Sequence, residues 1–375
     1  MERAYFNFQA DFARNWWDRA SFARNWWRIE ATDPFWAPPA YPAFRRALEP
    51  ARNPHLARLD PIFVSLEALP RRRSENLRTQ PVSAGVSLEQ PVAAAIALVD
   101  PRRADRTAYL AWLKVANDAE SLERLLDALR EPLLARGASR LLGPTGLSPQ
   151  LGSGLLQDHW ADLPPLHTPY NPPYLPEIVA SPLRARSSAR LLQLDVPLPP
   201  PDPAGPAELL PFEPRRLAAD LLPLLVSACP PWLDFASPDE LEAQFILDWL
   251  SYWPLSGWLA QIDGQPVGFV LLQPDLAPRL LRAGGGRRPW WRLWLAWAKQ
   301  RPVPAGRLLF GGVLPERRGQ GLGRQLLHQA LTVAHHHGWR SLTVGPVPTT
   351  APAAGFLAHH QAQPHQTYGV YQADL

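Results

Sequence analysis

The segment Pro315-Glu-Arg-Arg-Gly-Gln-Gly-Leu-Gly323 has the residue types and spacing of an anion-binding loop. Its glycines let the backbone approach a ligand closely. A helix that begins inside such a loop leaves its first N–H groups unpaired, with the positive end of its dipole beside them. Arg317, Arg318 and Arg324 add full charges, so a pyrophosphate suits the site. The Gly-Lys-Ser/Thr ending of nucleotide-phosphate loops is missing, and the spacing is not the Gly-x-Gly-x-x-Gly of dinucleotide folds. Two other sets of candidate residues carry less chemistry. The run His335-His336-His337 reads as a helix end, because adjacent helical side chains point apart and make a poor chelate, and no metal is expected. Cys229 is the sole cysteine, so no intrachain disulfide forms, and it lies far from the loop in sequence.

The elements around the loop have a readable order. Apolar residues at Leu322, Leu326, Leu327, Ala330, Leu331 and Ala334 predict a helix directly after the glycines. The segment Arg307–Leu314 predicts a strand before it, Ser341–Val344 a strand after it, Ala353–His360 a short helix and Thr367–Ala373 a last strand. Upstream, a proline-interrupted helical region spans about Pro214 to Trp253. Strands follow at Trp258–Ile262 and Val267–Leu272, joined by the hairpin signal Asp263-Gly264, and an arginine- and tryptophan-rich insertion covers Arg279–Arg301. This order implies a mixed sheet with helices packed on it.

Val313-x-Pro315-x-x-Arg318-Gly-x-Gly321-Leu-Gly323 resembles the coenzyme A loop of the GNAT N-acetyltransferase superfamily, over about 170 residues of the chain. The resemblance implies that Arg318, Gly319, Gln320, Gly321, Leu322, Gly323 and Arg324 hold the pyrophosphate, and that the strand at Gly311 and Val313 pairs with the pantetheine arm. It further implies acetyl-CoA, or another acyl-CoA, as co-substrate and an amine, small molecule or peptide, as acceptor, attacked directly. Where the family often has a tyrosine acid, the register Thr350-x-x-Ala353-x-x-Phe356-Leu357 places Leu357, and no glutamate stands between Arg307 and Leu314. Tyr368, Tyr371 and His360 are the candidate substitutes for the acid, with a non-catalytic coenzyme A-binding or interaction protein, or a membrane-surface adaptor, as the alternative.

At 375 residues the chain suits two domains, and Val196-Pro-Leu-Pro-Pro-Pro-Asp-Pro-Ala-Gly-Pro206 reads as a stiff linker between them. Leu134–Pro144 and His336–Pro346 both read as a helix end, a glycine cap, a short strand and a Gly-Pro stop, which points to a repeated fold. Asp33-Pro-Phe-Trp-Ala-Pro-Pro39, Tyr170-Asn-Pro-Pro-Tyr174 and Thr367-Tyr-Gly-Val-Tyr371 resemble bacterial tandem-GNAT proteins. The expectation is therefore an α/β (α+β) protein with two tandem GNAT-like domains, each a mixed, mostly antiparallel sheet flanked by helices. A tryptophan- and arginine-rich helical segment would occupy 1–30, a degenerate domain 31–196, the linker 197–206 and the acyl-CoA-binding domain 207–375. Asp118, Glu120 and Glu123 would repel a pyrophosphate at the first domain's helix start. Gly143–Gly154 with Tyr170 and Asn171 could be a small-ligand site or ordinary loop structure.

The net charge of +4 with no long basic stripe argues against nucleic acid. No leader or spanning stretch is evident, so a cytoplasmic location is expected. Arg-Asn-Trp-Trp occurs within Phe12–Trp17 and again within Phe22–Trp27. On one helix Phe12, Trp16, Ala20, Ala23 and Trp27 would form a stripe. This segment and the 279–301 insertion could pack on the protein, form a homo-oligomer or lie on a membrane surface.

Overall fold

The computed structural model describes residues 7–13, 16–69, 90–213, 217–229, 232–233 and 235–375. The first half contains β1 (Asn7–Ala13), α1 (Trp16–Ile29), α2 (Tyr41–Ala47), α3 (Pro54–Arg58), β2 (Ile62–Leu69), β3 (Gln90–Val99) and β4 (Thr107–Val115). It continues with α4 (Ala119–Ala135), β5 (Arg140–Thr145), β6 (Leu155–Leu156), α5 (Leu175–Ala180) and β7 (Arg184–Asp195). The second half contains β8 (Glu208–Pro211), α6 (Leu217–Ala228), α7 (Glu240–Leu250), β9 (Ser256–Ile262), β10 (Gln265–Pro274), α8 (Ala277–Ala283) and α9 (Pro289–Ala298). After these come β11 (Ala305–Val313), α10 (Leu322–His336), β12 (Ser341–Pro348), α11 (Pro352–His359) and β13 (Gln363–Asp374).

Both halves run strands, a parallel strand–helix–strand unit and a closing strand, and their folds are tandem copies. Among the described residues the strands form one 13-stranded sheet in the order β1-β2-β3-β4-β5-β13-β7-β12-β11-β10-β9-β8, with β6 on β13. The closing strands are exchanged. β7, from the first half, pairs antiparallel with β12 (Leu342↔Leu194). β13, the last strand of the chain, pairs with β5 (Gln372↔Leu142) and with β7 (Tyr368↔Ala189). Each half is therefore completed by the other, and the sheet is continuous through the middle.

The predicted elements are present with two corrections. The Gly-Pro pairs do not stop their strands: β5 continues through Gly143-Pro144 to Thr145 and β12 through Gly345-Pro346 to Pro348. A proline donates no N–H, and the β12–β7 register shifts between Val344 and Val347 around it. The stripe from Phe12 to Trp27 does not exist on one helix, because Phe12 lies on β1 and α1 starts at Trp16. Arg14 and Asn15 of the first repeat unit lie outside the described residues, as do 214–216 at the start of the helical region. The second unit is core: Trp26 and Trp27 are buried, and they pack edge-on or stacked against Trp36 and Phe44.

α10 buries Leu322, Leu326, Leu327, Ala330, Leu331 and Ala334 against the second half of the sheet, as its 3.6-residue spacing requires. α7 reaches back across the molecule. Its N-cap Asp239 pairs with Arg58, and Glu242 accepts from Arg102 Nη2 at 2.8 Å and Ser148 Oγ at 2.7 Å. No helix of the described residues is long and apolar enough to cross a membrane.

Candidate active site

β11 and β12 run parallel and pair only at Ala305–Leu308 with Ser341–Val344. Beyond that point β11 stays with β10 as far as Val313, while β12 stays with β7 as far as Pro348. The strands splay, and the side of β11 facing β12 has no strand partner from Leu309 onward among the described residues. A cavity of about 560 Å³ fills the wedge. Leu308–Val313 form one wall and Val344–Pro348 another, with Gly319, Gly323, Phe356 and Leu357 at its helical side.

The glycine loop crosses this side. Gly319 and Gly321 have φ of +77° and +83°, a region that penalises any side chain, and a Cβ on either would meet nothing within 4 Å. Backbone conformation, not crowding, thus calls for glycine there. Gly321 is the N-cap of α10 and offers no side-chain cap, so the first N–H groups of the helix are not taken by a capping side chain. Arg318 curls back, its Nε donating to Val313 O at 3.1 Å and its Nη2 to Ala228 O at 3.4 Å. Of the residues singled out from sequence, Gly311, Val313, Arg318, Gly319 and Gly323 line the cavity. Gln320, Gly321 and Arg324 are exposed outside that lining, and the Leu322 side chain points into the core, leaving only its backbone for a ligand. The equivalent helix start in the first half is closed: Asp118 is the N-cap of α4 and accepts from Ser121 N at 3.0 Å.

The candidate acids stand away from the wedge. Tyr368 is fully buried, its hydroxyl donating to Gln366 Oε1 at 3.0 Å, and burial raises its pKa strongly. It sits on β13, walled by β5, β6 and β7, and lines neither this cavity nor the one described below. Tyr371 donates to Gln157 Oε1 at 3.2 Å on the same strand. His360 follows α11, beside Phe356 and His328, and also lies outside the cavity lining. Its pKa is lowered by burial and by the neighbouring His328, His359 and Arg324. Leu357 does line the wedge, so the position matching the family's tyrosine faces the cavity without a proton to give.

Several wall residues come from places the sequence did not connect to the loop. Cys229, at the end of α6, lines the same cavity despite its distance in sequence; burial pushes its thiol up to about 12. The loop Pro149–Ser153 of the first half forms another wall. Gln150 contributes a buried Nε2 with no hydrogen-bond partner among the described residues. Arg307 is buried at the base. Its guanidinium donates to Leu166 O, to Thr168 Oγ1 at 2.6 Å and to Gly345 O, clamping both halves around the wedge, and burial pulls it down to about 10. His167 is a neutral wall: Nδ1 accepts from Trp249 Nε1 at 3.0 Å and Nε2 faces Gln273 Oε1 at 2.9 Å. The Gln273 amide is oriented by its own Nε2 donating to Leu250 O at 3.0 Å. Burial first, then Arg307, pulls His167 down to about 3, so the ring carries no charge at neutral pH. The only sequence hint of these contributions was the glycine- and proline-rich stretch Gly143–Gly154. Among the described residues no cluster of His, Cys, Asp and Glu could hold a metal ion.

Residues 220–361 match the sequence model of the Acetyltransferase (GNAT) family. The fold is similar over nearly the whole chain to several solved structures. One is a tandem GNAT protein from the clavulanic acid biosynthesis pathway, at 13% identity and TM-score 0.56, covering 98% of each chain. Another is a conserved protein of unknown function from Enterococcus faecalis, at 6% identity and TM-score 0.55, covering 98% of this chain and 72% of that one. A third is the glucosamine N-acetyltransferase region of a fungal multi-domain β-N-acetylglucosaminidase, at 14% identity and TM-score 0.52, covering 99% of this chain and 38% of that one. No curated protein sequence matches the chain.

Proposed function

Since residues 220–361 match the GNAT family and the whole chain is similar in fold to a tandem GNAT protein, we propose that the second half binds an acyl-CoA, acetyl-CoA in the first instance, and passes the acyl group directly to an amine. The observation that carries the reading is the glycine–arginine loop standing over a wedge whose strand edge is free. Backbone amides from Arg318 to Arg324, with the exposed arginines, suit the pyrophosphate. The unpaired edge of β11 at Leu309–Val313 suits the amide-rich pantetheine arm, because extended amides pair with a strand edge. Gln150 Nε2 is a buried, unpaired donor on the wall, suited to the thioester carbonyl oxygen.

In the transfer, the amine lone pair forms the N–C bond, the C–S bond breaks, and the proton lost by nitrogen ends on the coenzyme sulfur. No Asp or Glu lines the cavity among the described residues, so positioning supplies most of the acceleration. Cys229 is held protonated and is a poor nucleophile, which favours direct attack over an acyl-cysteine. The test mixes the full chain with acetyl-CoA and an amine library and follows thiol release, with intact-mass spectrometry of the protein. Release with some amines and an unmodified protein is expected. Acetylated Cys229 overturns direct attack, and stabilisation by acetyl-CoA with no release for any amine leaves a coenzyme A-binding protein.

α9 supports a second contact, with an anionic membrane surface. Trp290, Leu293 and Trp297 recur at helical spacing and are 59%, 75% and 54% exposed. Arg288 and Arg301 sit over the Trp290 and Trp297 rings at 5.6 and 4.5 Å. Apolar aromatics framed by arginines suit the interfacial layer. The full chain is expected to co-sediment with phosphatidylserine-containing vesicles at low salt, less at high salt, and to lose this in the double variant Trp290→Ala/Trp297→Ala. Absence of low-salt binding rules the contact out, and self-association lost in the same variant assigns the stripe to a homo-oligomer.

A further inference from the structure

The first half has its own parallel pair, β4 with β5, joined at Thr107–Tyr109 with Arg140–Leu142 and, after a register shift, at Ala111 with Thr145. Where this pairing ends, Trp112–Lys114 of β4 and Pro144–Thr145 of β5 line a cavity of about 180 Å³. We propose that this cavity is the acceptor subsite and takes a ring-bearing, apolar amine as its free base, an inference that rests on the acyl-transfer reading above.

Four observations point there. The first is adjacency. Leu151, Gly152 and His167 line both cavities, so one thin partition separates the two. A ligand in the small cavity lies against this partition, and Gln150, the residue before Leu151, lines the large cavity. The second is shape and chemistry. Trp36, Trp112, Trp249 and Trp253 line the small cavity together with leucines and prolines. An apolar cavity of about 150 Å³ suffices for a benzene ring, so this one holds a ring with a short chain. Flat aromatic walls favour a ring over a flexible polar chain.

The third is charge. The cation-attracting faces of Trp26 and Trp36 are already taken by the protein's own Lys114, whose Nζ lies 4.1 and 3.2 Å from their centroids and 3.0 Å from Glu30. Among the described residues no Asp or Glu lines the cavity, and the His167 ring at the junction is neutral. An ammonium ion would therefore be buried without a partner, whereas a neutral amine is not penalised. Desolvation thus delivers the free base that attack requires, in a wedge with no carboxylate to remove a proton. The fourth is construction. Both backbone groups of Leu166, a wall residue, are tied to the second half, N–H to Asp275 Oδ1 at 2.9 Å and C=O to Arg307. Ser148, beside the partition, is tied to Glu242 at 2.7 Å. The cavity is thus built jointly by both halves.

The experiment uses the full-length chain, with 2-phenylethylamine and the polar diamine putrescine as probes. Binding is read by tryptophan fluorescence and calorimetry without acetyl-CoA, and acetyl-CoA binding separately by thermal shift. Ala37→Leu and Ala43→Phe each add bulk at half-buried lining positions. Phenylethylamine is expected to bind at least ~10-fold more tightly than putrescine, and either variant to weaken it at least ~10-fold, while the acetyl-CoA shift persists and reports an intact fold. Equal binding of the two amines, or phenylethylamine binding indifferent to both variants, overturns the inference alone. Absence of an acetyl-CoA shift in the unaltered chain overturns the acyl-transfer reading, and the acceptor role with it.

Discussion

Gly321→Glu is expected to abolish the thermal stabilisation that acetyl-CoA gives the full chain, with affinity falling at least ~100-fold, or about 2.7 kcal/mol. Two effects add. Gly321 has φ +83°, where a side-chain-bearing residue costs about 1–2 kcal/mol. The new carboxylate also stands at the start of α10, where it would take the N–H groups and dipole field offered to a phosphate. A Cβ at this position meets nothing within 4 Å, so the fold tolerates the change. Gly321→Ala separates the effects, because it carries the backbone cost without the charge. Thermal shift and calorimetric titration of all three proteins check this. Full retention of the shift in Gly321→Glu would place coenzyme A binding elsewhere.

Arg307→Met is expected to destabilise the chain by about 3 kcal/mol, with both cavities affected. The guanidinium satisfies Leu166 O, Thr168 Oγ1 and Gly345 O inside the protein, and each buried acceptor left unpaired costs about 1–3 kcal/mol. Removing a charge that burial pulls down to about 10 returns part of that cost, which keeps the net loss below the simple sum. Arg307→Lys should restore little, because an ammonium cannot span three acceptors on three segments. Urea unfolding of the three proteins gives the comparison. A loss of less than about 1 kcal/mol for Arg307→Met would mean that the clamp does not hold the wedge wall.

The glycine–arginine loop was legible because its chemistry is local. Glycines at 319 and 321 answer a backbone demand within a few residues, and Arg318 bonds to a strand five residues away. α10 was legible for the same reason, since one face of it is buried and the period shows it. The Gly-Pro pairs misled, because a proline can sit in a strand where a register shift accommodates it. The surroundings of Tyr368 were not legible in this way. Its strand is enclosed by β5, β6 and β7, all from the first half, and nothing along 363–374 says which strands those are.

By itself the sequence determined the repeated strand–helix–strand unit, the glycine–arginine loop at Arg318–Arg324 and the acidic helix start at Asp118 in the first half. Only the tertiary structure decided that β7 and β13 change places, that Cys229 and Gln150 face the same wedge, and that His167 stands neutral between two cavities. The physical reason is that strand pairing is made by backbone groups common to every residue, so partner choice depends on which edges meet in space. The walls of a cavity built where two halves meet inherit that choice.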